Sequence, residues 1–564
     1  MKRISLTILS ILIAGCAQQT DVKEAEKPAI PSFYGTLEPM ASDAVYFLMT
    51  DRFVDGDPTN NYPEQGGDNP TWMGKMDSGD GRSAYVGYMG GDFKGVLNNA
   101  GYISELGFGA IWLTPIVDNP DESFAGGEPI TFNGGYKDGG KSGYHGYWGV
   151  NFFELDEHLP SEGLDYAELN KQLEQKHGLK TILDVVVNHG SPSFTMPVDQ
   201  PKYGEIYNQD GKLVADHMNL EPTELDPTNP LHKMFNTKRD LAQLSDMNPD
   251  EPAVMEYFIA AYEHWLGQGV DAFRIDTVKH MPIEFWERFA ARIRKNHPDL
   301  FMFAEVFDHN PEFLGKYTLN ENGRISVLDF ALKQAFIDNF QSADGDLREI
   351  EKMLFLTEGP YQNPYELMTF YDNHDMRRID TDAKGYINAH NLLFTTRGIP
   401  VLYYGSEIGY MTGTGEHEGN RNYFGQERID SAPESDIYQS LKKISKLRQQ
   451  SVSLQRGLQI NLDFQQHTAA FLRVYEHEEV FQTALVLINK SDDAVDVHLA
   501  DELSSGLWTE GLTNQKRSIT KGSQHKFNLA PNSVQVWLLN EMNTHPALIE
   551  KLKIAMAAGE YGKQ

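Results

Sequence analysis

Four short stretches of the sequence place ionisable side chains directly after apolar residues. They are DVVVNH at 184–189, FRID at 273–276, FAE at 303–305 and FYDNHD at 370–375. Apolar runs of this kind are typical of strands that are buried on both faces. In a barrel of alternating strands and helices, catalytic groups lie at the C-terminal ends of the strands. One such residue alone is more often part of a structural ion pair, but four strand ends together predict a site.

Two of these strand ends carry carboxyl groups in different surroundings. Arg274 and Asp276 are two residues apart on a strand, so their side chains share a face, and a guanidinium favours an ionised carboxylate suited to nucleophilic attack. Glu305 has apolar neighbours, and desolvation would raise its pKa as a general acid requires. Retaining glycosidases hold two such carboxyls about 5–5.5 Å apart. Adjacent strands, about 4.8 Å apart, are compatible with that distance.

Eight apolar segments alternate with helical patterns and predict a (β/α)8 barrel. The predicted strands are residues 44–50, 110–114, 181–187, 271–275, 300–305, 327–330, 367–371 and 400–404. Two segments do not follow the repeat. Residues 190–245 are rich in Pro and Asp and too long for a plain loop, which predicts an inserted subdomain. Short alternating strands after residue 455 predict a C-terminal β-sandwich.

The predicted organisation therefore has six parts. They are a signal peptide with its cysteine at 1–16, a flexible tether at 17–32, a barrel built from 33–189 and 246–454, an inserted domain B at 190–245, an all-β sandwich at 455–540, and a tail at 541–564 that is compatible with one helix. The fold class is α/β.

Charge and cysteine usage narrow the range of functions. The 564 residues include 81 acidic and 49 basic side chains, giving a formal net charge of −32. Nucleic acid is not an expected partner, because phosphate binding needs a basic face. The single cysteine, Cys16, excludes an intramolecular disulfide and Cys-rich zinc sites. Residues 135–142 match the phosphate-loop pattern, but no apolar strand precedes them, so we expect a flexible rim loop there.

The N-terminus has the features of an export signal. Two basic residues precede an apolar run at 4–13, which is too short to span a bilayer as a mature helix. The sequence Ile-Ala-Gly-Cys that ends at Cys16 resembles a bacterial lipobox, whose cysteine is lipidated after cleavage. The alternative is an ordinary signal peptide with a cysteine by chance. Ala17, rather than Asp, favours the outer membrane by the same resemblance.

The four motifs, in this order, resemble the conserved regions of the α-amylase family of glycoside hydrolases. The second motif extends over GVDAFRIDTVKH at 269–280, and GAIWLTPI, YHGYW and LSDMN at 109–116, 144–148 and 244–248 fit as well. The resemblance covers about residues 40–540. It implies a barrel with an inserted domain B, a C-terminal β-sandwich, and an α-glucan oligo- or polysaccharide as substrate.

The resemblance also implies roles for individual side chains. Asp276 resembles the nucleophile that forms a covalent glucosyl enzyme, and Glu305 resembles the acid/base that protonates the leaving oxygen and then activates water. Asp375 resembles the carboxylate that holds the 2- and 3-hydroxyls of a distorted sugar. The other implied substrate contacts are Arg274, His189, His374, Tyr144, His145, Lys279 and His280. Among these, Tyr144 is implied to stack on the sugar that precedes the cleavage point.

Two calcium sites are implied by the same resemblance. The first resembles the calcium loop of cyclodextrin glucanotransferases and comprises Asp55, Asp57, Asn60, Asn61, Gly90 and Asp92. Read alone, this stretch is more often an Asp/Asn-rich turn. The second site comprises Asn188, Asp246 and the carbonyl of His280. One or two structural Ca²⁺ ions would pin domain B against the barrel, since calcium prefers several oxygen ligands in flexible loops.

Hydrolysis and sugar transfer remain alternatives on these residues. Phe307 and the pair Asn420-Arg421 resemble glucanotransferases, whereas Ala242 replaces the large aromatic residue that those enzymes carry. The chain after residue 540 is also short for their starch-binding domains. We therefore favour a hydrolase of α-1,4 bonds, with a transglycosylase second and a non-catalytic glucan-binding lipoprotein third. We expect a monomer attached to the membrane only through its lipid.

Overall fold

A computed structural model describes residues 32–342, 344–500 and 502–559. The predicted signal peptide, Cys16 and nearly all of the predicted tether lie outside these residues. Eight parallel strands form the central sheet and are numbered β1 to β8 along the chain. They are Val45–Leu48, Ala110–Leu113, Lys180–Val185, Ala272–Ile275, Phe301–Ala304, Ser326–Val327, Met368–Thr369 and Ile399–Tyr403.

The sheet closes into the predicted barrel. Its strand order is β6-β5-β4-β3-β2-β1-β8-β7, and a parallel bridge between Leu328 and Met368 joins the two outer strands. Aromatic rings fill the interior, where Phe47 stacks on Trp112 with ring centroids 3.8 Å apart. The register pairs Ile275 with Ala304, so the residues that follow, Asp276 and Glu305, leave the barrel side by side.

Helices follow the strands on the outside of the barrel. They are Thr50–Phe53, Phe93–Asn98, Ala100–Glu105, Tyr166–His177, Pro252–Leu266, Ile283–Arg294, Pro311–Thr318, Phe330–Phe340, Leu347–Lys352, Ala383–Leu393, Gln426–Ser431, Asp436–Gln449 and Val452–Arg456. The sequence dictates their ends. For example, Glu251 caps Pro252–Leu266 at the N-terminus, Pro252 suits its first turn, and Gly267 follows its last residue. Val254, Phe258 and Trp265 of this helix are buried against the barrel.

The segment after β3 forms a small layer beside the barrel. His189–Pro192 pairs antiparallel with Leu244–Asp246 where the segment leaves and rejoins the barrel. Between them, Glu205–Tyr207 and Leu213–Asp216 join a four-stranded sheet with Val117–Asp118 and Asn151–Leu155 from the loop after β2. A separate apolar cluster consists of Phe124, Trp148, Met196, Tyr203 and Leu244. The inserted layer is thus built from two loops of the chain.

Antiparallel strands make up the C-terminal domain. Six of them form one sheet, in chain order Leu458–Phe464, Thr468–His477, Val480–Asn489, Gly506–Glu510, Lys516–Ile519 and Ser533–Leu539. Val495–Leu499 pairs with His525–Leu529, and a helix spans Pro546–Ala558. The guanidinium of Arg473 is buried and donates to the carbonyls of Thr395 and Thr396 in the barrel domain, at 2.8 and 2.6 Å. Among the described residues, no helix is long and apolar enough to cross a membrane.

Candidate active site

One guanidinium lies between the two carboxyls predicted to do the chemistry. Nη1 of Arg274 is 2.7 Å from Oδ1 of Asp276, and its Nη2 is 3.0 Å from Oε2 of Glu305. All three side chains are almost completely buried. Because Arg274 and Asp276 share a strand face and Glu305 ends the neighbouring strand, the barrel register alone brings the three together.

Asp184 is a further carboxylate that holds the guanidinium. Its Oδ1 accepts from Nη1 of Arg274 at 2.7 Å, and its Oδ2 accepts from the Trp112 indole at 3.0 Å and the Tyr147 hydroxyl at 2.8 Å. This second carboxylate fixes the arginine in place, since a buried guanidinium without such partners would be costly. Asp184 was not predicted as a site residue, although this residue begins the DVVVNH motif.

Glu305 has the properties of a general acid. Burial raises its pKa to about 8, against the lowering effect of Arg274, so its protonated form persists at neutral pH. Oε2 faces Arg274, whereas Oε1 is buried and has no hydrogen-bond partner among the described residues. The proton therefore belongs on Oε1, the oxygen that is free to give it to a substrate.

Asp375 lies apart from this pair, and its carboxylate contacts one cationic side chain and one neutral ring. Its Oδ1 accepts from Arg421 at 2.6 Å, and its Oδ2 lies 3.2 Å from Nε2 of His374. Its side chain is about one-quarter exposed, at 24%. A carboxylate fixed in this way at the cavity wall is suited to accept hydrogen bonds from sugar hydroxyls.

The cleft histidines are neutral hydrogen-bonding groups. Nδ1 of His145 accepts from the backbone N–H of Tyr147 at 3.0 Å, which places the proton on Nε2. That Nε2 is buried and has no partner within the described part of the chain. Burial lowers the pKa of His145, His189 and His374, so each ring stays uncharged near neutral pH.

The structure places Tyr147, rather than Tyr144, in the cavity. The guanidinium of Arg52 lies 3.6 Å from the centre of the Tyr144 ring, which is buried away from the cavity surface. Tyr147 lines the cavity, and its ring stacks on His374 with centroids 5.3 Å apart. Of these two tyrosines, Tyr147 is the one that lines the cavity, so the stacking role that was predicted for Tyr144 fits Tyr147 instead.

One wall of the cavity carries charged side chains that were not predicted from the sequence. Glu416, in the loop after β8, pairs with Arg421 at 2.9 Å and lies 3.7 Å from the buried ammonium of Lys141. Lys141 also pairs with Asp138 at 2.8 Å. At the rim, the Tyr136 side chain is 78% exposed. Glu416 could have been predicted from the sequence by its position, five residues before Arg421 on the same loop.

The opposite wall contains the predicted leaving-group residues. Nζ of Lys279 donates to the carbonyl of Phe307 at 2.6 Å and lies 5.5 Å from its ring centre. The ring of His280 is 3.1 Å from a carboxylate oxygen of Asp240, in the inserted segment. Ala242 lines this wall with a positive φ of 50°. Together the two walls enclose a cavity of about 390 Å³.

Comparison with known proteins decides the family. Residues 47–437 match the model of the α-amylase catalytic domain. The chain belongs to the α-amylase family. Among curated members, it is 30% identical over 542 residues to the cyclomaltodextrin glucanotransferase of Paenibacillus macerans, covering 90% of this chain and 69% of that protein.

Solved structures of both kinds of family member are similar to this chain. The α-amylase of Geobacillus thermoleovorans in complex with acarbose aligns with a TM-score of 0.68 at 27% identity, covering 89% of this chain and 99% of that one. CldA, described as a three-domain cyclomaltodextrin glucanotransferase, aligns with a TM-score of 0.71 at 28% identity over 89% and 99%. Since a three-domain transferase exists, chain length does not distinguish the two activities.

The first predicted calcium loop meets a simple chemical test. Members of the α-amylase family usually bind structural calcium. Asp55 Oδ1, Asn60 Oδ1 and Asn61 Oδ1 are buried and lack hydrogen-bond partners among the described residues. A Cβ at Gly90 would lie 2.5 Å from the Asn61 oxygen, so the Gly90 backbone adjoins them. Several buried, unpaired oxygens in one loop fit a hard cation.

The remaining residues of that loop have other partners. Asp57 accepts from Thr59 and faces Lys94 at 3.4 Å. Asp92 accepts from the backbone N–H of Gly95 at 2.6 Å and of Asp57 at 2.7 Å, which caps the helix Phe93–Asn98. The structure therefore brings Asp55, Asn61 and Gly90 together, adds an unpaired oxygen of Asn60 in the same loop, and uses these two carboxylates to shape the loop.

The second predicted site lies where the inserted segment meets the barrel. Oδ1 of Asp246 and the amide nitrogen of Asn188 are buried and unpaired within the described ranges. Oδ2 of Asp246 accepts from two backbone N–H groups at 3.0 and 3.2 Å. The strand pairing sets Asp246 beside His189 and hence next to Asn188. These groups fit an oxygen-ligated ion only in part, because one of the two orphan atoms is a nitrogen.

A further acidic group, which was not predicted, lies between the two loops of the inserted layer. Asp118, Asp121 and Glu157 come within 4.8 Å of one another. The ammonium of Lys202 is 3.3 Å from Asp118 and 3.2 Å from Asp121. The backbone of Lys202 has a positive φ of 67°. A cation of the chain itself therefore offsets part of the negative charge of this group.

Proposed function

We propose that the protein is a retaining hydrolase that cleaves α-1,4-glucosidic bonds of starch or maltodextrins. The observation that carries the proposal is the pair Asp276 and Glu305 on one guanidinium, with Asp375 on the adjoining wall. The three groups combine a nucleophile, a protonated acid and a hydroxyl-binding carboxylate, which are the parts that a retaining glycosidase needs.

The chemistry follows in two balanced steps. In the first, an oxygen of Asp276 forms a bond to the anomeric carbon while the bond to the leaving sugar breaks, and the proton on Oε1 of Glu305 passes to the leaving oxygen. In the second, Glu305 takes a proton from water as the water oxygen attacks the same carbon. The carboxylate of Asp276 then leaves with its electron pair, and the product retains its configuration.

The small side chain at position 242 supports hydrolysis over transfer. Ala242 lies on the leaving-group wall between Leu241 and Leu244. A large ring at this point would occupy the space through which water reaches the covalent intermediate. Without it, the leaving-group side admits water more freely, and the second step is more often hydrolytic.

Transglycosylation is the second candidate, and Phe307 favours it. Its half-buried ring lines the cavity beside Lys279 and offers a flat apolar face to an acceptor sugar. The curated relative reported above is a cyclomaltodextrin glucanotransferase. A sugar held on this ring would compete with water for the intermediate.

A product analysis tests the proposal. With maltoheptaose and calcium present, we expect only shorter maltooligosaccharides, with reducing ends that increase in step with bond cleavage. Products longer than the substrate, or cyclic glucans, would instead establish the transferase. Asp276→Asn is expected to abolish nearly all turnover, whereas a glucan-binding protein without catalysis would bind equally well with this substitution.

We propose that calcium is held first by the loop of Asp55, Asn60, Asn61 and Gly90, whose unpaired buried oxygens support that assignment. Its role would be structural, because none of these residues lines the catalytic cavity. Calcium added to chelator-treated protein should raise the melting temperature of the native chain. Asn61→Leu should remove most of that increase.

We also propose that the protein is exported and anchored through Cys16, with the outer membrane as the expected site. The support is the basic, apolar and lipobox-like order of residues 2–16. Metabolic labelling with a fatty acid should mark the native protein and not Cys16→Ser. Release of both proteins into the soluble fraction would contradict the anchor.

A further inference from the structure

Thr277 has a backbone conformation that its side chain disfavours. Its φ and ψ are 45° and 39°, in the left-handed region, and β-branched residues are genuine outliers there. Such strain persists where the surrounding structure enforces it, and it clusters at functional sites. Thr277 directly follows the nucleophile, and its half-buried side chain lines the catalytic cavity.

The strained conformation directs two donors of Thr277 at the two reacting carboxyls. Its hydroxyl donates to Oδ2 of Asp276 at 2.9 Å. Its backbone N–H points to Oε2 of Glu305 at 3.5 Å. The other oxygen of Asp276, Oδ1, is already held by Arg274 at 2.7 Å. The nucleophile is therefore held at both oxygens, and Oδ2 is the one that lacks the guanidinium.

We infer that Thr277 is a positioning residue that acts on the breakdown of the covalent intermediate. The inference rests on the proposed retaining mechanism. Oδ2 is the oxygen available to attack, so it becomes the ester oxygen in the intermediate. When water attacks the anomeric carbon, the bond to Oδ2 breaks and its electron pair returns to the carboxylate. The hydroxyl of Thr277 then donates to an oxygen that is gaining negative charge, which stabilises that transition state.

The same hydrogen bond gives no such advantage in the first step. There the carboxylate begins fully charged and loses charge as it attacks, so the bond is strongest in the ground state. An interaction accelerates a step only if it is stronger in the transition state. Thr277 therefore favours leaving over attack and keeps the intermediate short-lived.

The test compares Thr277→Val with Thr277→Ser. Valine keeps the shape and the β-branch of threonine, so the backbone strain is matched, and it removes only the donor. Serine keeps the donor and should restore the native behaviour. The substrate is α-maltosyl fluoride, whose good leaving group makes the first step fast and exposes the second.

For Thr277→Val, we expect kcat to fall about tenfold, as the loss of one hydrogen bond to a charged group predicts. KM should fall by at least the same factor, with kcat/KM unchanged or raised, because the second step is slowed and the first step is not. Mass spectrometry of the quenched reaction should detect maltosyl-enzyme in this variant.

Two results would overturn the inference. One is native kinetics in Thr277→Val. The other is an equal loss in kcat and kcat/KM without covalent enzyme, which would mean a structural role only. If the native chain does not turn over maltosyl fluoride at all, the proposed retaining mechanism itself is wrong, and the inference falls with it.

Discussion

Arg274 organises the chemistry because three carboxylates of unequal function converge on it. Asp184, in β3, forms an ion pair with Arg274. Asp276 shares the strand face of Arg274, and Glu305 lies at the end of the next strand. Since the strand register sets the position of each, the sequence motifs were sufficient to predict that Asp276 and Glu305 lie side by side. Their catalytic roles stay a prediction. Asp184 was not predicted because its partner, Arg274, lies on the neighbouring strand inside the barrel. The sequence alone does not distinguish such a buried acid from an acid at the end of a strand.

The loss of activity at alkaline pH should report the acid group. Burial raises the pKa of Glu305 to about 8, so the active protonated form is lost as the pH rises through that value. We expect the basic limb of kcat/KM, measured on a chromogenic maltoside, well above the usual range of a carboxyl group.

Glu305→Gln provides the matching measurement. It should lower turnover of starch by about 10²–10⁴-fold. With α-maltosyl fluoride, which needs no protonation of its leaving group, the loss in the first step should be much smaller. A basic limb near pH 4–5 in the native enzyme, or equal losses in kcat/KM, which reports the first step, on both substrates, would assign the acid role elsewhere.

The two tyrosines of YHGYW illustrate what the sequence could not decide at this scale. Tyr144 and Tyr147 lie in an irregular loop, where no periodicity tells which ring faces the cavity. The choice is made by Arg52, whose guanidinium occupies one face of the Tyr144 ring. Arg52 is 92 residues away in sequence, and only the tertiary structure brings the two together.

At the scale of elements, the barrel was predictable, whereas the strand pairing within the inserted layer was not. The eight strands are short apolar runs of strong pattern, and the observed strands coincide with the predicted segments within a few residues. The inserted layer instead borrows Val117–Asp118 and Asn151–Leu155 from the loop after β2. Its pairing depends on contacts between distant segments of two to five residues each, which leave little trace in sequence.

Lys202 should stabilise the junction between these two loops. Lys202→Met removes the cation that separates Asp118, Asp121 and Glu157, so the carboxylates repel one another. We expect a loss of roughly 1–2 kcal/mol, between the values for exposed and buried pairs. Thermal unfolding in the presence of saturating calcium would measure it.

The effect of Lys202→Met on stability should depend on pH, because the pKa values of the neighbouring carboxyl groups are raised. Burial raises the pKa of Asp118 and of Glu157 to about 7, so both become charged as the pH rises from 5 to 8. The destabilisation by Lys202→Met should therefore grow over that interval. Lys171→Met, which breaks an exposed pair with Glu168, is the control and should change little at any pH. A constant difference across the interval would argue against the charge mechanism.

At the scale of the whole molecule, Arg473 couples the C-terminal domain to the barrel. Its guanidinium is buried and donates to the carbonyls of Thr395, Thr396 and Gly457. Arg473→Met leaves these carbonyls without their donor, and we expect a loss of about 2–4 kcal/mol.

Calorimetry should show how far this contact unites the two domains. The native chain should unfold in one transition, and Arg473→Met should lower its temperature or split it into two. Arg348→Met, at an exposed pair with Asp346, is the control and should leave the transition near its native temperature. Two separate transitions in the native chain would mean that the interface contributes little.

The floor and the walls of the cavity belong to different parts of the fold. The reacting groups sit on strand ends, while Tyr136, Lys141, Ala242 and Glu416 come from loops outside the barrel. Such loops can exchange residues, lengthen or shorten without disturbing the register that aligns the carboxyls. Product identity can therefore diverge while the catalytic centre stays fixed. This division accounts for a single architecture shared by proteins described as amylases and as glucanotransferases.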